Sequence, residues 1–512
     1  MESTNLGSAL AQQLPSTPLR SKNEGQGPFR RLIIEGGVLI DGTGNPPYHA
    51  TVIIEQNRIA EIRRNRFPDR LPPRPELGPS DKLINARETY ILPGFIDTHI
   101  RLTNIASFTS STEYLFKLFM AHGITTIGVL TDENKLDWVL ELQRQSAENT
   151  VLAPRVKVLV NLDVHTPEEA RAKVQELQRR GATGIRGGEP QLSRELAKAA
   201  LEEIKKLGLP VTWNMTMGQQ PGLNALDLAR LGVSGISHWY GMAEPFFVDR
   251  ALRRYPADFT WTDSRERFRQ GGRTWKQAAP PYSDHWNKVL NEFLALDVAF
   301  EPTFDIYEAA RDFMGVSRAE WLDEHLHPGL ARSFTPSRNT NPFAPFYDWT
   351  TTDEVEWRDN FRLWMTFINE YKNRGGRVVA GADSGYLWAI PGFGFIRNLE
   401  LLQEAGLAPL EVISSATLEG AELYHSTVEL GSVEVGKLAD LLIVDRNPLE
   451  NLKVLYGTGV NSLNDDDVVT RVGGVKYTIK DGIVFDAKAL LADVRKIVKN
   501  AKARQVSSAS HT

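Results

Sequence analysis

Six polar side chains close short apolar runs in this chain, and their types decide what chemistry is open to it. His99 and Arg101 end the run Ile91-Leu-Pro-Gly-Phe-Ile-Asp-Thr-His99-Ile-Arg101. Arg186 ends Gly184-Ile-Arg, Asn214 ends Pro210-Val-Thr-Trp-Asn, and His238 ends Gly235-Ile-Ser-His. Asp383 lies in Gly381-Ala-Asp-Ser-Gly. His99, His238 and Asp383 are enough in type for a two-histidine, one-carboxylate metal site. Arg101 and Arg186 are not ligands, because a guanidinium stays protonated and has no lone pair to give. Asn214 offers only an amide oxygen, a weak ligand suited to hard cations. At about 5 Å and an effective dielectric near 20, each arginine would oppose a divalent ion by roughly 6–7 kcal/mol. The expectation is therefore no metal, or a single divalent ion (zinc being one candidate) on His99, His238 and Asp383. A binuclear centre is not expected. In catalysis, Asp383 or His238 would be the general base. Arg101 and Arg186 would face a developing oxyanion or a substrate carboxylate. Glu189, Glu301 and Asp305 lie near strand ends and are candidates for the same network, while Asp383 is expected to pair with an arginine. His165 reads as solvated, and His325 and His327 read as surface residues flanking a helix.

The elements that must position these groups follow from periodicity. From residue 91 onward, eight short apolar strands alternate with helical stretches. The clearest helices are 167–180 and 193–207, with apolar residues three and four apart. The strands are the run ending at Arg101, then those beginning at Gly123, Val156, Gly184, Pro210, Gly235, Val298 and Arg377. Eight such alternations over about 300 residues predict an α/β fold with a (β/α)8 TIM barrel. Residues 29–62 alternate apolar and polar in short runs, and 431–445 and 468–485 do so again. Together they predict a small β-sandwich domain made by both chain ends, with the barrel inserted. The expected division is 1–28 as a disordered tail, 29–88 plus 428–487 as the β domain, 89–427 as the barrel, and 488–512 as a C-terminal helix and tail. Residues 249–360 are too long for ordinary barrel connections and are expected to form an aromatic-rich lid. Of the 11 tryptophans, all but Trp138 lie between Trp213 and Trp388. Trp213, Trp239, Tyr307 and Asn214 are assigned to substrate contacts, the aromatic ones to an apolar portion. Packing of the inserted helices against each other explains the aromatic content equally well.

Composition sets the outer bounds. A net charge of -5 gives no general attraction to nucleic acid or anionic lipid, and no RNA-binding motif is present. The absence of cysteine removes disulfides, thiolate metal sites and thiol nucleophiles. No run of 18 apolar residues occurs, so no membrane partner is expected and a cytoplasmic location is the default. The expected partner is a small molecule. A homo-oligomer is expected, with a hetero-oligomer containing an active paralogue as the alternative.

Four collinear segments carry a family resemblance. They are Gly37-Val-Leu-Ile-Asp-Gly-Thr-Gly with Pro93-Gly-Phe-Ile-Asp-Thr-His99, then Gly381-Ala-Asp383-Ser-Gly, then Ala416-Thr-Leu-Glu-Gly-Ala, and finally Leu430-Gly-Ser-Val-Glu-Val-Gly-Lys-Leu-Ala-Asp-Leu. Over residues 31–485 the chain resembles the amidohydrolase superfamily, in particular its imidazolonepropionase and Xaa-Pro dipeptidase branch. The resemblance implies a metal site at the carboxyl ends of the barrel strands. His99 would match the first-strand histidine, His238 the sixth-strand histidine and Asp383 the eighth-strand aspartate. Arg101 stands where a second histidine belongs, Arg186 where a carbamylated lysine belongs, and Asn214 where the fifth-strand histidine belongs. Two readings follow. One is an enzyme that hydrolyses an amide, cyclic amide or ester, or carries out related proton-transfer chemistry. Its substrate would be small, anionic and partly apolar, with arginines in place of metal ligands. The other is an inactive amidohydrolase-like subunit serving as scaffold or ligand-binding partner.

Overall fold

The computed structural model describes residues 14–65, 71, 76–109, 111–215, 223–248, 259, 263–335 and 348–509. Five strands come first: β1 (Arg31–Leu39), β2 (Tyr48–Glu55), β3 (Arg58–Arg64), β4 (Asp81–Asn85) and β5 (Tyr90–Pro93). The chain returns to them after the barrel with β13 (Leu441–Val444), β16 (Val475–Lys480) and β17 (Ile483–Asp486), while β14 (Val460–Leu463) and β15 (Val469–Val472) pair only with each other. The order β17-β16-β13-β5-β1-β2-β3, with β4 on β1, makes one mixed sheet from both chain ends. This is the expected β domain from both chain ends, built as a single mixed sheet. The join is β13, which lies antiparallel to β5, pairing Leu441 with Pro93 and Val444 with Tyr90. Runs of Ile, Leu and Val bury a continuous face here, including Leu32, Ile34, Val52, Ile54, Ile91, Leu441 and Ile443.

The barrel strands are β6 (Phe95–Ile100), β7 (Ile124–Thr131), β8 (Arg155–Asn161), β9 (Gly184–Gly187), β10 (Val211–Asn214), β11 (Gly235–Ser237) and β12 (Ala299–Glu301). They pair in parallel in chain order. The expected eighth strand at 377–383 is not a regular strand. It still closes the ring: Phe300 N donates to Arg377 O at 2.9 Å and Val379 N to Phe300 O at 2.9 Å on one side. On the other side, Thr98 N donates to Ala380 O at 3.2 Å and Asp383 N to His99 O at 2.8 Å. This segment passes very close to its neighbours. A Cβ on Gly381 would stand 2.6 Å from Glu301 Oε1 and 2.8 Å from the His99 Cβ, so only glycine fits.

Three expectations about the connections need correction. Residues 14–28 are not a loose tail. Arg20 N donates to Thr150 O at 2.8 Å, and Gln26 exchanges backbone bonds with Val484. Residues 1–13 lie outside the described residues. The stretch 249–360 is not a single lid, since β12 runs through it; residues 249–258, 260–262 and 336–347 fall outside the described part. Much of its aromatic content packs helix against helix and strand. Trp275, Trp286, Trp357 and Trp364 are fully buried, and Phe246, Phe293 and Phe367 gather around the first two. Third, His325 and His327 are buried rather than on the surface. The His325 ring packs on Phe393 at 5.1 Å, and His327 Nδ1 accepts from Gly329 N at 3.0 Å to cap the helix Pro328–Phe334.

The C-terminal helix Ala487–Ala509 buries Leu490, Leu491, Val494 and Val498. Lys117 on the helix Glu113–Ala121 reaches Asp493 at 2.7 Å. Among the described residues, no helix is long and apolar enough to cross a membrane.

Candidate active site

His99 is the penultimate residue of β6, with its ring wholly buried. Its Nδ1 donates to Glu301 Oε2 at 2.5 Å, which leaves Nε2 as the lone-pair nitrogen. That Nε2 is buried and has no hydrogen-bond partner among the described residues. It faces Asp383 Oδ2 at 3.7 Å. His238 follows β11, and its Nδ1 is engaged with Thr303 Oγ1 at 2.7 Å. Its Nε2 lies 3.9 Å from the same Asp383 oxygen. The ligand atoms of His99, His238 and Asp383 all lie within 4.8 Å of one another.

Backbone conformation helps to aim these groups. His238 (φ 67°), Thr303 (φ 50°) and Asp383 (φ 49°) all occupy the left-handed region, which is uncommon for residues other than glycine. Such conformations cost about 1–3 kcal/mol each and persist where the surrounding structure fixes them. Here each turns a side chain at the end of a barrel segment toward a common centre.

Glu301 organises the floor of this centre. It accepts from Thr98 Oγ1, from Ser237 Oγ at 2.6 Å and from His99 Nδ1. Asp97 Oδ1 accepts from Ala382 N at 2.9 Å and His99 N at 3.3 Å, tying β6 to the closing segment. Thr98, Ser237 and Thr303 were not singled out from the sequence, because a hydroxyl before or beyond a strand end carries no spacing signal. Asp97 is inside the Asp-Thr-His run and could have been found there.

The arginines take different roles. Arg101 grips Glu189 with both terminal nitrogens, at 2.7 and 2.6 Å. Its Nε stands 3.5 Å from Asp383 Oδ1. Asn214 Nδ2 also donates to Glu189 Oε1, and its own Oδ1 is buried with no partner among the described residues. Arg186 is fully buried and reaches across to β10 and β11, donating from Nη1 to Ser237 Oγ at 2.8 Å and Thr212 Oγ1 at 3.3 Å. The repulsion that the two arginines would exert on a cation is thus partly offset: Glu189 holds Arg101, and Glu301 shares Ser237 with Arg186.

Burial dominates the ionisation of the centre. It pulls His99 well below its ordinary value, with the Arg186 and Arg101 charges pulling the same way. His238 is likewise depressed by burial and by His99. Both imidazoles are thus neutral at neutral pH, the form that binds metal. Burial lifts Asp383 to about 7, with Arg101 and Arg186 opposing the rise. Burial works against the charge of Glu189 too, but Arg101 holds that carboxyl well below the usual range. His99 Nε2, His238 Nε2 and Asp383 fit a single divalent ion, since each imidazole is held by its other nitrogen and His99 Nε2 has no hydrogen-bond partner among the described residues.

The remaining candidates separate. Tyr307 faces the His238 ring edge-on at 5.7 Å, and Tyr240 does so at 6.1 Å. Trp239 is buried against Tyr240, Tyr307 and Trp357, behind the tyrosines. Trp213 is not in the mouth. Strand alternation puts it on the face opposite Thr212 and Asn214, packed on Gly187 and Gly188 in the core. Asp305 pairs with no arginine; both its carboxylate oxygens are buried without a partner among the described residues. His165 is exposed.

Comparison with known proteins bears on this geometry. The amidohydrolase family model matches residues 366–484, which include Asp383 and the returning strands. The dihydroorotase of Anaeromyxobacter dehalogenans is 27% identical over 214 residues, covering 40% of this chain and 47% of that protein. The match thus spans about half the length of that curated relative. A Xaa-Pro dipeptidase structure with bound methionine superposes with a TM-score of 0.57 at 19% identity, covering 89% of this chain and 100% of the other. Bottromycin amidohydrolase superposes with a TM-score of 0.61 at 18% identity, covering 92% and 91%. These likenesses speak for the fold. Over residues 366–484, the segment that holds Asp383, the chain is similar to the amidohydrolase family.

Proposed function

We propose that this chain hydrolyses a C–N bond in a small, partly apolar substrate, using a single divalent metal at the mouth of its barrel. The observation that carries the reading is the convergence of two neutral imidazole Nε2 atoms on one oxygen of Asp383. His99, His238 and Asp383 would hold the ion. A divalent ion there would polarise the scissile carbonyl and acidify a water. This differs from arginines standing in for metal, for which the site gives no support.

The chain's own groups have definite roles in that reading. Asp383 Oδ1 accepts no hydrogen bond among the described residues and, with Arg101 Nε 3.5 Å away, would take a proton from water and pass it to the leaving nitrogen. Burial raises this carboxyl in the metal-free chain, and a bound divalent ion would lower it again. Asn214 Oδ1 is an open acceptor for a substrate N–H. Tyr307 and Tyr240 offer an aromatic wall beside His238.

The test is a panel of N-acyl amino acids, Xaa-Pro dipeptides and cyclic amides, assayed with and without added zinc or manganese. Turnover of at least one class, lost on chelation and restored by metal, is expected. No turnover across the panel by metal-loaded protein would favour a non-catalytic, ligand-binding member instead.

A further inference from the structure

We propose that one edge of the Arg186 guanidinium, formed by Nε and Nη2, is a receptor for a planar two-oxygen anion, either a carboxylate on the bound ligand or free bicarbonate. Arg186 is completely buried, and its hydrogen bonds to Ser237 and Thr212 both use Nη1. Nε and Nη2 are buried and meet no acceptor among the described residues. Those two nitrogens make the side-on fork that matches both oxygens of a carboxylate.

Buried charged donors are seldom left unpaired, so the open edge needs an explanation. Of the carboxylates whose charge acts on Arg186, Asp383 makes no hydrogen bond to its Nε or Nη2, and the other two are committed elsewhere. Glu189 serves Arg101 and Asn214, and Glu301 serves Thr98, Ser237 and His99. Arg101 is not an alternative receptor, because Glu189 already fills its fork. The edge belongs to the same polar centre as the imidazoles, since Ser237 links Arg186 to Glu301 and Glu301 links to His99. The Arg101–Glu189 pair forms a partly open rim beside it, with 19% and 30% of the side chains exposed. The inference rests on the mouth being the ligand site, but not on turnover.

The experiment uses the full chain and four probes: acetate, bicarbonate, N-acetyl-L-phenylalanine and N-acetyl-L-phenylalaninamide. Binding is read by calorimetry and by the shift in melting temperature. The acid is expected to bind at least about tenfold more tightly than its amide, and Arg186→Lys should weaken the acid about tenfold while leaving the amide unchanged. Acetate or bicarbonate should compete with the acid. Saturation by bicarbonate alone, excluding the acid, would assign the edge to a resident free anion. Acid binding indifferent to millimolar bicarbonate would assign it to the ligand's own carboxylate. Equal binding of acid and amide, or no binding of any anion, would overturn the inference, and the wild-type comparison decides this even if Arg186→Lys fails to fold. Selective acid binding without hydrolysis of any panel substrate would leave the inference standing while the hydrolase reading fell.

Discussion

Asp383→Asn should lower turnover of any substrate found by at least about 10³-fold, while making the metal-free protein more stable at neutral pH. The loss of rate has two sources. General-base catalysis typically contributes about 10²–10⁴-fold, and the same carboxylate is one of three side chains proposed to hold the metal. The gain in stability follows from burial. Asp383 is 4% exposed, and burial lifts it from 3.8 to about 7. A carboxyl whose folded value is raised stabilises the fold below its unfolded value near 3.8. That contribution is lost as pH rises toward the folded value. At pH 8, in the presence of chelator, the wild type therefore carries a penalty of roughly 2–4 kcal/mol that asparagine removes. Urea unfolding from pH 3 to 8 checks this: the two proteins should converge below about pH 4 and separate above it. Equal stability at pH 8 would mean that Asp383 is not desolvated as described.

Glu301→Gln should do the opposite, weakening both the fold and the metal site. Glu301 is 1% exposed and accepts hydrogen bonds from Thr98, Ser237 and His99. Glutamine retains one acceptor oxygen and points an N–H₂ at donors. Loss of a charged acceptor from buried donors predicts a cost of roughly 3 kcal/mol or more. It also releases the His99 ring, whose orientation and basicity depend on that carboxylate. Loss of such a partner typically lowers metal affinity about 10–100-fold. Denaturant unfolding reads the first effect, and competition with a metal-binding dye reads the second. A variant as stable as wild type with unchanged affinity would remove Glu301 from its positioning role.

The fold was legible where burial is uniform. The clearest apolar runs are in β7 (Ile124–Thr131) and β8 (Arg155–Asn161), and the short strands around them are almost wholly buried, as parallel strands covered on both faces are. His99, Arg101, Arg186, His238 and Asp383 were legible because each ends such a run. What the sequence hid depends on tertiary contact. Trp213 sits one residue from Asn214, and only strand register separates a core side chain from one at the mouth. Residues 14–28 are polar, yet they are held by backbone bonds to Thr150 and Val484 that no composition reveals. The pairing of Arg101 with Glu189 joins positions far apart in sequence, so the arginines looked like bare charges until their partners were placed. Thr303 holds His238 from the loop after β12, again without a local signal.

Elemental analysis of the protein purified without chelators, repeated on His99→Ala, tests the central assignment most directly. About one equivalent of divalent metal per chain is expected in the wild type, falling to near zero when His99 loses its imidazole. Metal-free but fully active protein, two equivalents per chain, or one equivalent retained by His99→Ala would each contradict it.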